Sequence, residues 1–380
     1  MIKTYEEAKN KIFTHDDLAD YELGKMINAM IFLENPLKNI KVIHIAGTNG
    51  KGSVSKMVFS ILKNAGKKVG VFTQPHLIDV KERFLTDEGY INEKEFIELT
   101  NRLTYIPIKL AQFEKGTLLA FEFFKERNVE YAIIEVGLGG RLDATNVVEP
   151  TITCITSISL DHQNILGDTL EKISFEKAGI IKSGIPVIIN QQNKVIEDIA
   201  KEKKSKLIFT TKKVKTNMLG DFQERNAGLA YEICKYLGIN EETILKGLQC
   251  VKHNGRLQYL NKNILVDGAH NEGGLKELKI YIDSIKDNFK KINFCFSLKK
   301  GKNINLITDI FGIKNNYIII DSQNMYLENT KILQKQFLEK GKKVEILDKD
   351  DILELASKKE DELFMIFGSL YMIGDFLEFK

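Results

Sequence analysis

Short apolar runs rich in β-branched residues recur along the chain and alternate with longer stretches whose apolar residues fall at helical spacing. Val42 to Ala46, Lys68 to Phe72, Tyr131 to Val136, Ile152 to Ile158, Pro186 to Ile189 and Leu207 to Phe209 predict strands. Between them, Val54 to Ala65, Glu93 to Leu103, Gly116 to Arg127, Leu170 to Lys182 and Lys194 to Lys203 predict helices. Residues 4 to 33 predict two more, with Thr4 and Glu7 spaced as a capping box and Asp20 to Met26 just ahead of the second. A polar stretch, Thr210 to Asn217, precedes a helix opening at Gly220 and running to about Leu237.

After His253-Asn254-Gly255-Arg256 the pattern begins again. Strands are predicted at Ile264 to Val266, Lys291 to Phe296, Tyr317 to Ile320, Val344 to Ile346 and Phe364 to Phe367, with helices at Gly274 to Ile285 and from Gly368 onward. Such alternation calls for parallel sheets covered on both faces. The expected fold class is therefore α/β: a P-loop ATPase-like parallel-sheet domain over residues 1–253, then a smaller Rossmann-like domain over 254–380. The second has no GxGxxG, so no dinucleotide is expected there.

The loop between the first strand and its helix is Gly47-Thr48-Asn49-Gly50-Lys51-Gly52-Ser53. Glycines let backbone N–H groups approach an anion, the helix N-terminus adds positive partial charge, Lys51 reaches the β and γ phosphates and Ser53 can hold magnesium. Against the usual expression, one residue is missing ahead of Gly50-Lys51 and Gly52 stands before Ser53, so a plain glycine turn is the competing reading.

Ligands of open α/β sheets bind at the carboxyl ends of strands. Three strands deliver chemistry there: Lys51 with Ser53, Glu135, and Asp161-His162. Glu135 is either a partner of Arg141 or a magnesium ligand, since that hard cation prefers carboxylate oxygen. His162 is a satisfied histidine or a contact to metal or nucleotide. Lys177, on spacing alone, pairs with Glu176 or Glu171.

At 380 residues the chain is too long for one ordinary core. Charged residues make up 28%, hydrophobic ones 43%, and the net charge is only +3, as expected of a soluble enzyme. The lysines are scattered; Lys212-Lys213 and Lys299-Lys300 read as solvated faces, so no nucleic-acid partner is expected. Cys154, Cys234, Cys250 and Cys295 stand far apart, without metal spacing, and read as reduced thiols of a cytoplasmic protein. Neither a signal peptide nor an apolar run near the ~20 residues of a membrane span is found.

Beyond these readings, the chain resembles the folate branch of the Mur ligase family, the folylpolyglutamate and dihydrofolate synthases. The resemblance is carried by GTNGKGS at 47–53, PHL at 75–77, KERF at 81–84, FE at 113–114, EVGLGGRLDATN at 135–146, SLDH at 159–162, EKAGIIK at 176–182, FQERNA at 222–227, NGRLQ at 254–258, DGAHN at 267–271 and FGSLY at 367–371. It implies an ATP-dependent acid–amino acid ligase that adds L-glutamate to dihydropteroate, tetrahydrofolate or both through an acyl phosphate, with ATP and Mg²⁺ as cofactors and a monomeric state. A Mur-type ligase for another acid and a nucleotide-binding protein without catalysis are the alternatives.

By the same resemblance Asn49, Gly50, Lys51 and Gly52 hold the ATP phosphates and Ser53 a first magnesium. Glu135 and His162 are implied magnesium ligands, and Lys177 falls where members carry a carboxylated lysine. Asn226, Arg256 and Asp267 match positions that contact adenosine, with His270 nearby for phosphate or glutamate. The family's usual Ser-Pro is replaced by Gln74-Pro75, so the Gln74 amide oxygen or a water must take the place of a serine ligand. Pro-Gly is likewise replaced by Asn254-Gly255, and the chain is short between Phe209 and Gly220.

Overall fold

The computed structural model describes residues 1–13, 22–322 and 324–377. They form two compact units, the first built from Met1–Gln74, Val80–Asn217 and Gln223–Lys252. The second takes Pro75–Asp79, Met218–Phe222 and the chain from His253 onward.

In the first unit the strands are β1 (Lys41–Ala46), β2 (Val69–Phe72), β3 (Phe84–Thr86), β4 (Gly89–Tyr90), β5 (Tyr131–Glu135), β6 (Pro150–Ile155), β7 (Val187–Ile189) and β8 (Leu207–Phe209). They lie in the order β4-β3-β2-β5-β1-β6-β7-β8. From β2 to β8 the pairing is parallel, with β1 central between β5 and β6. The expectation of a wholly parallel sheet is corrected at one edge, where β3 and β4 pair antiparallel. Only Asp87 and Glu88 separate β3 from β4, far too few residues for the crossover that parallel neighbours need.

Asp20 and Tyr21, which the sequence places ahead of the second helix, lie outside the described residues. The flanking helices Tyr5–Phe13 and Gly24–Phe32 are present, and the capping box forms: Glu7 N donates to Thr4 Oγ1 at 3.2 Å and Thr4 N to Glu7 Oε2 at 3.2 Å.

The helix Lys51–Asn64 is buried on nearly every side from Ser53 to Leu62. The helix Glu241–Leu248 approaches it closely because Gly247 has no side chain; a Cβ there would sit 2.5 Å from Ile61 Cα. Ser60 Oγ seals the contact by donating to Gly247 O at 2.7 Å. Phe72, Phe84, Phe96, Phe121, Phe123 and Phe124 are fully buried in one apolar cluster, which anchors the β2 side of the sheet. Each contributes about 1.5–3 kcal/mol by burial.

His44 sits fully buried in β1. Thr145 spends its hydroxyl proton on Asp143, so its oxygen accepts from His44 Nε2–H at 2.9 Å, and Nδ1 is left buried without a partner. Burial holds the imidazole pKa down at about 3 against an ordinary 6.5. As pH falls below 6.5 the unfolded chain binds a proton that the folded one refuses, so stability is lost at about 1.4 kcal/mol per pH unit towards the folded pKa. Urea midpoints measured across this range are expected to show that slope in the parent and a shallower one in His44→Gln; equal slopes would remove His44 as its source.

The second unit has strands β9 (Gln258–Tyr259), β10 (Ile264–Asp267), β11 (Lys291–Phe296), β12 (Asn316–Ile320), β13 (Glu345–Leu347) and β14 (Glu362–Phe367), ordered β13-β12-β11-β14-β10-β9. All pairs are parallel except β9 with β10. The early segment Pro75–Asp79 belongs here because Gly374 lets Leu77 pack against it: a Cβ on Gly374 would lie 2.0 Å from Leu77 O. Among the described residues no helix is long and apolar enough to cross a membrane.

Candidate active site

β1 ends at Ala46 and the chain turns at Gly47, whose φ of +146° and close approach to Thr156 exclude a side chain; a Cβ would meet Thr156 Oγ1 at 1.9 Å. Gly50, at φ +89°, is the N-cap of the helix Lys51–Asn64, and no side chain caps that helix. An uncapped helix start presents N–H groups and positive partial charge, the elements of a phosphate site.

The loop is tied to the segment after β6. Thr48 N donates to Ser157 O at 2.7 Å, Asn49 N to Ser157 Oγ at 3.0 Å, and Thr156 Oγ1 to Asn49 O at 2.6 Å. Lys51 Nζ curls back to donate to Gly47 O at 3.0 Å and Thr48 O at 3.2 Å.

Lys177 reaches the same place. Its buried Nζ donates to Gly47 O at 2.9 Å, so the pairing with Glu176 or Glu171 expected from spacing does not form. Glu176 is taken by Arg141, whose Nη2 lies 2.9 Å from Oε1. Burial first, and then the Lys51 ammonium, pull the Lys177 pKa down to about 7, with Asp161 and Asp143 opposing. Two amines sharing one carbonyl oxygen concentrate positive charge where an anion would relieve it.

Glu135 closes β5 beside β1, in register with Ile45, and is buried. Arg141 being engaged with Glu176, the Glu135–Arg141 pair does not form; Glu135 Oε2 instead accepts from Gln74 N at 3.2 Å. Lys56 lies under the same carboxylate's field: burial lowers its pKa to about 8, and Glu135 and Glu82 oppose the fall.

The loop after Glu135 is organised by Asp143. Its Oδ2 accepts from Gly137 N at 3.0 Å and Leu138 N at 2.9 Å, and its Oδ1 from Thr145 N at 3.0 Å. Gly140 is required by close packing, since a Cβ would lie 2.8 Å from Lys177 O. The stretch 135–146 is thus a scaffold that places both Glu135 and the helix carrying Lys177.

The Gln74 side chain ends at Gly137, where an added Cβ would meet Nε2 at 2.8 Å, and that Nε2 is buried without a hydrogen-bond partner. His162 is exposed, at φ +48°, and opens the short helix Gln163–Leu166 while its N donates to Asp161 Oδ1 at 2.9 Å.

Asn226 stands at the phosphate loop: its Oδ1 lies 2.7 Å from where a Cβ on Gly50 would be. It is joined to Ser53 through Gln223, with Asn226 Nδ2 donating to Gln223 Oε1 at 3.0 Å and Gln223 Nε2 to Ser53 Oγ at 3.3 Å. Gln223, fully buried, was not singled out from the sequence, although its place in the FQERNA stretch three residues before Asn226 is the signal that pointed to it. Thr156 and Ser157 likewise were not singled out, because short polar residues at the end of a strand have no pattern of their own, and Asp143 was read only as part of the 135–146 stretch.

Among the described residues no group of three or more His, Cys, Asp or Glu side chains is assembled for a metal. The donors that the resemblance implies are the Glu135 carboxylate, the Ser53 hydroxyl, the His162 ring and the Gln74 amide oxygen. This sparse oxygen-rich set suits magnesium, which keeps several waters and shares phosphate oxygens, better than a metal needing a full protein cage.

In the second unit, Asp267 at the carboxyl end of β10 accepts from Leu257 N and Ala269 N, each at 2.8 Å. Burial raises its pKa, and the Arg256 guanidinium opposes that rise. His270 Nδ1 lies 2.8 Å from Gly268 O, so Arg256, Asp267 and His270 share one loop cluster.

A phosphate loop at the centre of a parallel sheet, in a chain that continues into a second α/β unit, defines an ATP-dependent ligase architecture. Residues 45–252 match the Mur ligase middle domain and residues 251–379 the dihydrofolate synthetase C-terminal domain. The chain is similar to the dihydrofolate synthase/folylpolyglutamate synthase of Bacillus subtilis (strain 168), with 33% identity over 99% of each chain. It is also similar to the solved structure of E. coli FolC in complex with DHPP and ADP, with TM-score 0.88 and 25% identity over 98% of this chain and 97% of that one. The bifunctional folylpolyglutamate synthase/dihydrofolate synthase of Yersinia pestis, solved with AMPPNP and Mn ion, gives TM-score 0.87 and 25% identity over the same shares. The chain belongs to the Mur ligase family, in its dihydrofolate synthase/folylpolyglutamate synthase branch.

Proposed function

We propose that this protein joins L-glutamate to the carboxylate of dihydropteroate, of tetrahydrofolate or of both, at the expense of ATP. The observation that carries the reading is the meeting of Lys51 and Lys177 on the Gly47 carbonyl, beside an uncapped helix start and one strand from Glu135. ADP, AMPPNP and a manganese ion in the related structures support the cofactor part.

In the proposed sequence a carboxylate oxygen of the acceptor attacks the γ-phosphorus and ADP leaves, giving an acyl phosphate. The neutral α-amine of glutamate then adds to the acyl carbon, the tetrahedral adduct expels phosphate, and the amine proton is released. Activation is needed because a free carboxylate is a very poor acyl donor. Lys51 and the backbone N–H groups of residues 50–53 offset charge on the transferring phosphoryl group. Ser53, Glu135, His162 and Lys177, with Gln74, would hold magnesium, which when bound would supply Lewis-acid charge neutralisation.

Lys177 is suited to become a carbamate. An amine with pKa about 7 is half neutral at neutral pH, and the neutral form adds to CO₂. Once the nitrogen has released a proton to solvent the product is an anionic carbamate, which would turn the Lys51–Lys177 repulsion into attraction and supply oxygen donors. Asn226, Gln223 and Ser53 keep the loop in register, while Arg256, Asp267 and His270 serve nucleotide and glutamate from a C-terminal domain over 254–380. A monomer in the cytoplasm, without nucleic-acid or membrane partner, completes the reading.

Incubation with ATP, magnesium, L-glutamate and either dihydropteroate or tetrahydrofolate is expected to yield the acceptor extended by one glutamate, read by mass spectrometry. No extension of either acceptor would overturn the assignment. For Gln74, the amide oxygen Oε1 is the atom that could ligate magnesium, since Nε2 is a donor. Gln74→Ala is expected to raise the magnesium concentration giving half-maximal activity about tenfold. An unchanged magnesium titration would place the amide outside the metal's reach.

A further inference from the structure

The second unit carries a basic cleft at the end of its sheet opposite the Asp267 loop. Lys291 and Asn316, the first residues of β11 and β12, line it, whereas Asp267 stands at the last position of β10. Lys279, Lys286 and Lys290 come from the helix Glu272–Ile285 and the turn after it, and Lys314 and Lys342 from the loops ahead of β12 and β13. The cleft encloses about 550 Å³, within the range of small-molecule sites.

Several lysines elsewhere on this chain sit on helices beside a carboxylate, as Lys94 does with Glu98 and Lys358 with Glu354. Around the cleft, Lys279 is neutralised by Asp283 and Lys290 by Asp361. Asp287 also lines the cleft. Lys286, Lys291 and Lys314, however, make no ion pair among the described residues. Lys342 donates to the Lys314 carbonyl at 3.2 Å, and both its burial and the charge of Lys291 oppose its ammonium form.

The floor is apolar, made by Phe289, Phe294 and Phe311, with the last two rings 4.9 Å apart between centroids. A concave wall with an excess of cations, Lys286, Lys291 and Lys314 among them without an ion pair, focuses positive potential over such a floor, because apolar surroundings screen charge poorly. We propose that this cleft is a second ligand site, separate from the Gly47 loop and the Asp267 loop, and that it holds a small polyanion.

Two sources carry that chemistry: a chain of γ-linked glutamate carboxylates and a chain of phosphates. The site stands on its own geometry; only the carboxylate source rests on the ligase reading above. The test is binding of pteroyltetra-γ-glutamate and of inorganic tripolyphosphate at low ionic strength to the full chain and to the double variant Lys291→Glu/Lys314→Glu. Any binding at the Gly47 loop is common to both proteins, so their difference reports the cleft.

The parent is expected to bind at least one probe more than tenfold tighter than the variant, with affinity falling steeply as salt is added. Turnover of a monoglutamate acceptor stays equal in the two proteins. Loss of the tetraglutamate alone identifies a carboxylate ligand, loss of tripolyphosphate alone a phosphate ligand, and loss of both a cleft that reads charge only. Equal affinities in parent and variant, or no binding of either probe to the parent, overturn the proposal. Should the charge reversals prevent folding, Lys291→Gln/Lys314→Gln gives the same comparison with an expected loss of about threefold. Absence of ligase activity in a parent that still shows the difference would sink the ligase reading and leave the cleft standing.

Discussion

Lys51→Met is expected to lower kcat/KM by about 10²–10³-fold, the usual effect of removing one preorganised group that stabilises transition-state charge. The ammonium is already positioned, because Gly47 O and Thr48 O hold it against the loop that would carry the phosphates. Phosphoryl transfer leaves little covalent work to the protein, so fixed charge at this spot is the main lever. If the interaction is made in the transition state, kcat and kcat/KM fall together; a rise in KM alone would mean uniform binding. Steady-state kinetics with a parallel melting curve separates this from loop collapse. A variant with parental kcat would take Lys51 out of the chemistry.

Lys177→Ala is the second large effect, with an expected loss of about 10²-fold or more, as for loss of a group that fixes a metal site. Two signatures distinguish a carbamate from a structural amine. In CO₂-depleted buffer the parent should lose activity and regain it with bicarbonate, and small carboxylates should partly rescue the alanine variant. The pH profile gives an independent sign. Because burial and Lys51 bring the pKa to about 7, the amine is protonated below that pH and cannot take up CO₂. Activity should therefore fall as pH drops through 7, and added bicarbonate should shift the fall to lower pH.

The linked effect on stability has a definite direction. Between the folded pKa near 7 and the ordinary value of 10.5, the unfolded chain binds the proton that the folded chain lacks. Stability from this group therefore rises with pH across that window, and the cost of burying Lys177 is fully present below 7. An alanine variant with parental kcat would refute the role whatever the pH profile.

The alternation of apolar runs and helical stretches was enough to lay out both sheets, because a strand buried on both faces must be apolar throughout. β8, β11 and the helix Glu93–Leu103 begin and end where that pattern puts them. The antiparallel edge was not legible, since β3 and β4 are too short to show a period. Helices Glu241–Leu248, Asn305–Phe311, Thr330–Glu339 and Lys349–Lys358 also went unread, lying where polar and charged residues dilute the apolar stripe.

The sequence marked out the glycine loop, Glu135 and His162 because strand ends in a parallel sheet are where ligands bind; the glycine loop follows β1 directly and Glu135 closes β5, whereas His162 lies seven residues past the end of β6. Local spacing gave Lys177 a partner in Glu176 or Glu171 and left Arg141 as one alternative for Glu135; neither pair forms. Arg141 reaches across to Glu176, and Lys177 turns inward to a carbonyl 130 positions earlier in the chain. Asn226 was assigned by resemblance to adenosine; the fold sets its amide against Gly50 and links it through Gln223 to Ser53.

What the sequence determined by itself was the alternation of the longer strands and helices and the placing of the glycine loop and Glu135 at strand ends, because both follow from periodicity and glycine content over a few residues. What only the tertiary structure decided was which of those side chains meet. Gly47 O accepts from both Lys51 and Lys177, and Pro75–Asp79 joins the second unit rather than the first. Such meetings depend on close approaches between distant segments, set by absent side chains at Gly47, Gly140 and Gly374 and by the desolvation that burial imposes, and neither is a property of local spacing.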